Sequence, residues 1–187
     1  MMIDSIEQEN LYCMDNYIID LISLYNLNKL PNKIMLSGVK GIGKSLLAYH
    51  LANYILSKNE EFAYDINTFK INNLNKSFKL VKKNSHPNLY YCTTDDDKKV
   101  ITINQIRNIL SFCNKSSFNN SEKIIIIDNV ETLNQSSSNA LLKILEEPNE
   151  KVIFILIKDS SKRIIKTINF RFINFNINLN QNQKKYI

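Results

Sequence analysis

The stretch S-G-V-K-G-I-G-K-S, Ser37 to Ser45, contains every glycine of this 187-residue chain: Gly38, Gly41 and Gly43. Glycine supplies backbone at positive φ, and backbone that must approach a ligand with no Cβ in the way. Gly38 to Ser45 reads G-x-x-x-x-G-K-S without a mismatch. Before it, Lys33 to Leu36 reads as a short strand. After it, Leu46 to Leu56 carries Leu46, Leu47, Tyr49, Leu51, Ala52, Ile55 and Leu56 in a helical pattern. Strand, glycine loop and helix, in that order, form the setting in which this motif cradles phosphate. Backbone N–H groups and the positive end of the helix dipole then face an anion. The candidate ligands are Gly38, Val39, Lys40, Gly41, Ile42, Gly43, Lys44 and Ser45. Lys44 is placed to reach the outer phosphates and the Ser45 hydroxyl to hold Mg²⁺. A fortuitous glycine turn is the competing reading, and the flanking elements count against it.

A second anchor lies at Ile124 to Ile127, a β-branched run ending in Asp128. A run apolar on both faces fits a central parallel strand. In open α/β sheets the carboxyl ends of strands are where ligands bind, and in P-loop NTPases an acid there holds Mg²⁺ together with the loop hydroxyl. Asp128 is therefore the second candidate metal ligand beside Ser45, with a turn or N-cap role as the alternative. Elsewhere, helical spacing spans Met14 to Tyr25, Asn104 to Lys115 and Asn134 to Glu147, the last stopped by Pro148 and capped by Asn134 or a nearby serine. Strands are expected at Leu89 to Cys92 and Val152 to Ile157, a short helical piece near Ser161 to Ile168, and a half-buried last strand from Arg171 to Ile177. Lys58 to Asn84 is polar with scattered Phe and reads as a surface insertion. Thr93 to Lys99 reads as a solvated charged loop. This alternation predicts a parallel sheet flanked by helices.

The bulk properties set limits. The length favours one domain, and 44% hydrophobic residues suffice for an ordinary core. The net charge of +6 permits contact with a nucleic-acid backbone without requiring it. Lys82-Lys83 and Lys184-Lys185 read as solvated surface. Cys13, Cys92 and Cys113 are widely spaced, Cys13 and Cys113 being expected on helices, and suggest neither a disulfide framework nor a zinc site. No basic leader with a cleavage site and no 18-residue apolar run occurs, so a soluble, cytoplasmic protein with no membrane partner is expected.

Several segments carry a resemblance in the same order along the chain. They are H-P-N-L-Y-Y-C (His86 to Cys92), I-T-I-N-Q-I-R-N-I-L-S-F (Ile101 to Phe112), N-A-L-L-K-I-L-E-E-P (Asn139 to Pro148) and R-I-I-K-T-I-N-F-R-F (Arg163 to Phe172). Together with the loop, they resemble the bacterial clamp-loader AAA+ ATPase family of DNA polymerase III, and within it the delta-prime branch, over about Leu30 to Ile177. The resemblance implies an α/β fold: a P-loop NTPase (AAA+) core with a five-stranded parallel sheet, here residues 1–177, followed by a tail, 178–187. It implies a place among clamp-loader subunits, motor and delta, and through them the sliding clamp and primed DNA. ATP and Mg²⁺ are the implied cofactors, without zinc. Three departures qualify it. The family's general base after the strand acid is replaced by Asn129, which cannot accept a proton, as is common in delta-prime members. The family's S-R-C segment, which supplies an arginine finger to a neighbour's ATP, reads Phe170-Arg171-Phe172. The family's lid and collar have little counterpart in the remaining residues. ATP is expected to bind weakly or as a structural ligand, with hydrolysis weak or absent.

Two other functions compete. A stand-alone P-loop NTPase or small kinase would need arginines over the phosphates, yet only Arg107 exists besides Arg163 and Arg171. A pure interaction module would have no need of the full glycine loop.

Overall fold

The computed structural model describes residues 5–94, 99–146 and 151–179. In chain order the elements are α1 (Asp15–Asn26), β1 (Lys33–Gly38), α2 (Lys44–Leu56), α3 (Lys76–Lys82), β2 (Leu89–Cys92), α4 (Ile103–Asn114), β3 (Lys123–Ile127), α5 (Gln135–Glu146), β4 (Val152–Asp159), α6 (Lys166–Asn169) and β5 (Ile173–Asn176). The chain divides into two compact units. One holds residues 31–40 and 88–176, the other residues 1–30, 41–87 and 177–187.

The first unit is built on a five-stranded parallel sheet in the order β2-β3-β4-β1-β5. All five residues of β3 are buried, as a β-branched run shielded on both faces requires. One face of the sheet, Met35, Ile125, Ile127, Phe154 and Leu156, packs into a core with Ile106, Ile109 and Cys113 of α4 and Leu141, Ile144 and Leu145 of α5. Each such aliphatic side chain contributes about 1.5–3 kcal/mol on burial. Both helices start on side-chain caps. Thr102 and Gln105 form a capping box on α4, and Asn134 Oδ1 accepts from the Ser137 N–H (2.9 Å) at α5. Their far ends are closed by lysines from the starts of strands. Lys123 Nζ donates to the carbonyls of Phe112 (2.7 Å), Cys113 (3.2 Å) and Lys115, and Lys33 Nζ to Leu145 (2.8 Å). A cation there complements the helix dipole.

The second unit centres on α2, which is buried almost all round and packs with α1 and α3. Here the expectation of a surface insertion over Lys58 to Asn84 is corrected. Tyr64, Ile71, Phe78 and Val81 are core residues, and Asn75 and Ser77 are buried with them. The polar residues that hid the pattern are the ones that build α3. Asn75 caps it, accepting from the Phe78 N–H (2.7 Å) and from Asn53 Nδ2 (3.1 Å). Glu60 accepts from the N–H groups of Lys76 (2.7 Å) and Ser77 (3.0 Å).

Smaller differences concern boundaries. α2 begins two residues before Leu46, and β4 continues to Asp159. The helical piece expected from Ser161 is confined to α6. Cys13 precedes α1 in a turn with φ of +57° instead of lying on the helix. The last strand covers only Ile173–Asn176 and is mostly exposed, so its alternation does not mark a half-buried edge. Asp95, Asp96, Asp97, Lys98, Glu147 and Pro148 lie outside the described residues.

Candidate functional site

The glycine loop leaves the carboxyl end of β1. Gly38 closes that strand, its carbonyl accepting from the Ser160 N–H (3.0 Å). Gly41 and Gly43 have φ of +81° and +91°. A Cβ at Gly41 would meet nothing within 4 Å, so backbone conformation alone selects glycine there. A Cβ at Gly43 would also stand 3.1 Å from Met14 Cε. Gly43 is the N-cap of α2 and brings no side-chain cap to it. A helix start with its positive dipole end is a place where an anion is favoured. Val39 and Lys40 are exposed and Ile42 is buried. Lys44, at 6% exposure, and the half-buried Ser45 open α2. These groups have the chemistry for a nucleotide's phosphates: backbone N–H donors, the ammonium groups of Lys40 and Lys44, and the Ser45 hydroxyl.

In the sheet unit, Asp128 follows β3 directly, its N–H bonded to the Cys92 carbonyl (2.8 Å). Its carboxylate is held at both oxygens. Oδ1 accepts from the Asn129 N–H (2.7 Å) and Oδ2 from the Tyr91 hydroxyl (3.1 Å). A carboxylate oxygen has lone-pair capacity for more than one partner, and these bonds orient Asp128. Hard oxygen donors of this kind suit Mg²⁺.

Asn129 occupies the left-handed region, φ +56°, which asparagine tolerates better than most residues. Its Nδ2 donates to Thr93 Oγ1 (3.2 Å), and its carbonyl accepts from the Thr132 N–H (2.9 Å) and hydroxyl (2.7 Å). The residue thus serves as a turn former and contains no group able to take a proton from water. Glu131, the nearest carboxylate after it, is engaged at the end of β4, where Asp159 lies opposite Gly38. Its side chain is 3% exposed, lies 3.8 Å from Lys162 Nζ and accepts from the Asp159 N–H (3.2 Å).

Arg171 stands in the turn between α6 and β5, not at the start of the strand as its position after K-T-I-N suggests. Its Nη2 pairs with Glu146 Oε1 (2.6 Å), and its Nη1 donates to the Thr167 carbonyl (3.1 Å). Ile173 is level with Ile34, Ile155 and Ile126 across the sheet. Arg171 therefore lies about four residues of strand rise, ~13 Å, and three strand spacings, ~14 Å, from Asp128. Gly38, Asp128 and Asn129 share the carboxyl edge of the sheet, whereas Arg171 is at the amino edge. Its two phenylalanine neighbours diverge: Phe172 is buried in the unit's core, and Phe170 is 83% exposed.

Tyr91 and Thr93 are the contributors that the sequence does not single out. Their relation to Asp128 and Asn129 depends on β2 lying beside β3, with Tyr91 opposite Ile126. Only the pairing of two β-rich segments 35 residues apart, Leu89 with Ile124, could have signalled it. Among the described residues, no group of His, Cys, Asp and Glu side chains could hold a metal by itself, and no helix is long and apolar enough to cross a membrane.

The family described as "DNA polymerase III, delta subunit" matches residues 14–181. A DNA polymerase III subunit delta' of Buchnera aphidicola subsp. Baizongia pistaciae is 30% identical over 84% of this chain and 47% of its own length. One from Pseudomonas aeruginosa is 28% identical over 74% of this chain and 40% of its own. The chain spans less than half the length of these relatives. Among solved structures, a DNA polymerase III gamma subunit-related protein of Thermotoga maritima superimposes with a TM-score of 0.63 at 21% identity, over 88% of this chain and 48% of that one. The RuvB Holliday junction branch migration motor of the same organism gives 0.51 at 14%, over 93% and 49%. These likenesses bear out the fold expected from the sequence, a P-loop NTPase core of the AAA+ type. The family match and the relatives agree over most of the sequence, and the chain belongs to the DNA polymerase III, delta subunit family.

Proposed function

We propose that this chain serves DNA replication as a non-motor, delta-prime-type subunit of the DNA polymerase III clamp-loader complex. In this reading residues 1–177 are its AAA+ core domain and 178–187 a tail, and it works in the cytoplasm. It joins motor and delta subunits and, through them, supports placing the sliding clamp on primed DNA. Gly38 to Ser45 bind ATP, and Ser45 and Asp128 hold its Mg²⁺. No zinc is needed. The observation that carries the reading is a division of features. The loop keeps the positive-φ glycines of a phosphate cradle, while the residue after Asp128 is a turn-forming asparagine with no basic function. A site so built holds nucleotide and turns it over slowly.

Arg171 acts on a neighbour's nucleotide. Its separation from Asp128 supports this, because the guanidinium is out of reach of its own chain's candidate metal ligand. Its present partner is replaceable. The Arg171 and Glu146 side chains are 34% and 61% exposed, and exposed pairs are worth about 0.2–1 kcal/mol. A guanidinium released to a phosphate keeps its charge and its fork of donors. The test is the ATPase rate of the motor subunit reconstituted with this chain. Arg171→Ala is expected to lower that rate by a factor on the order of 10³, the low end for an arginine supplied in trans, with complex formation unchanged. An unchanged rate in an intact complex would remove the finger role.

A further inference from the structure

We infer that Tyr91 is the positioning residue of the metal site, its hydroxyl setting the orientation in which Asp128 presents its carboxylate to Mg²⁺. The inference rests on the proposed role of Asp128 as metal ligand and adds a residue to it.

The geometry is that of a two-point clamp. The Asn129 N–H fixes Oδ1 at 2.7 Å and the Tyr91 hydroxyl fixes Oδ2 at 3.1 Å. The first donor belongs to the backbone of the adjacent residue and holds the carboxylate against its own main chain. The second comes from the neighbouring strand. Tyr91 is fixed there by the β2–β3 ladder, with Leu89 opposite Ile124, Tyr91 opposite Ile126 and Cys92 opposite Ile127. The next residue along is tied in as well. Thr93 accepts the Asn129 amide at Oγ1 (3.2 Å), and its carbonyl accepts from Gln105 Nε2 (2.8 Å), a side chain already engaged in the capping box of α4. The tyrosine therefore projects from a framework held on two sides. A hydroxyl donor also suits this place chemically. It donates to one oxygen of a carboxylate that has several lone-pair sites. A partner that holds a ligating carboxylate in this way typically accounts for 10- to 100-fold in metal affinity.

The test uses the full chain and a fluorescent ATP analogue, mant-ATP, titrated in EDTA and again with saturating Mg²⁺. The ratio of the two dissociation constants measures what the metal adds. Tyr91→Phe is expected to leave the EDTA affinity unchanged and to cut the ratio about tenfold. Asp128→Asn is expected to cut it at least as far. Incorporating 4-aminophenylalanine at position 91, which keeps a donor at the para position, is expected to restore the ratio, an effect that ring packing alone would not give. Electron paramagnetic resonance of Mn²⁺ with ATP supplies an independent readout: Tyr91→Phe is expected to broaden the bound signal as the ligand loses its fixed direction. If Asp128→Asn lowers the ratio while Tyr91→Phe leaves it unchanged or raises it, Asp128 remains the ligand and Tyr91 is only part of the sheet. If Asp128→Asn has no effect, or the wild-type chain binds no nucleotide, the parent reading falls and this inference with it.

Discussion

Replacing Gly41 and Gly43 separately by alanine distinguishes two reasons for glycine in the loop. Both residues are left-handed, at φ +81° and +91°, and an L-residue with a Cβ pays about 1–2 kcal/mol in that region. Gly41→Ala places its methyl in open space, so conformation is its only penalty. Gly43→Ala carries the same penalty and also sets its Cβ 3.1 Å from Met14 Cε. That atom is the end of a flexible side chain, so a shift of a few tenths of an ångström relieves the contact, and the extra cost stays below the conformational one. Each variant is expected to lose about 1–2 kcal/mol. For a chain of this size that is roughly 2–8 °C in Tm, at about 2–4 °C per kcal/mol. Met14→Ala in the Gly43→Ala background is expected to recover none of the conformational penalty. Thermal unfolding followed by circular dichroism provides the readout. Alanine at a position it can adopt without strain stabilises a protein through the unfolded chain. A rise in Tm for Gly41→Ala would therefore refute the positive-φ explanation of the loop.

Other outcomes follow from the same structure. The purified chain is expected to bind Mg-ATP, to lose that binding in Lys44→Ala, and to hydrolyse ATP slowly at a rate unchanged by Asn129→Ala, since a general base is typically worth about 10²–10⁴-fold and none stands there; rapid turnover would contradict this. His50 is buried, hydrogen-bonded at Nδ1 to the Tyr64 hydroxyl (2.9 Å), and burial holds its pKa down at about 4 against the usual 6.5. The unfolded chain binds the proton first, so stability is full above pH 6.5 and falls as the pH drops toward 4, by at most about 3 kcal/mol from this group. His86, lowered chiefly by burial, adds in the same direction. Urea titrations should show this slope, reduced in His50→Gln, and a rise in stability on acidification would refute it. Glu146→Ala removes the partner of Arg171 and is expected to cost under about 1 kcal/mol in the same titrations, as an exposed pair should; a larger loss would mean that Arg171 is structurally committed.

The central architecture was legible because its signals are local and redundant. Ile124 to Ile127 can be little other than a buried strand, and the glycine spacing between β1 and α2 stands between a strand and a helix that are each legible on their own. The apolar helical repeat after Asn134 and the serines marks α5, and the structure picks Asn134 as its cap. What was hidden depends on tertiary pairing. The segment around α3 looked like solvated chain because Asn75 and Ser77 are buried polar residues whose hydrogen-bond partners, Asn53 and Glu60, lie far away in sequence. β5 alternates as a half-buried strand does, yet it occupies the sheet edge and its side chains remain mostly exposed. In the candidate site, Asp128 was legible from its place after the strand. The hydroxyl that orients it was not, since nothing in L-Y-Y-C says which strand lies alongside.

Co-purification with the clamp-loader motor subunit is the most direct measurement. The tagged chain, mixed with motor and delta subunits and passed over a sizing column, is expected to elute in one complex that loads the sliding clamp onto primed DNA. That loading should fall when Arg171→Ala replaces the wild-type chain. A chain that elutes alone under conditions where the other subunits assemble would contradict its assignment to the loader.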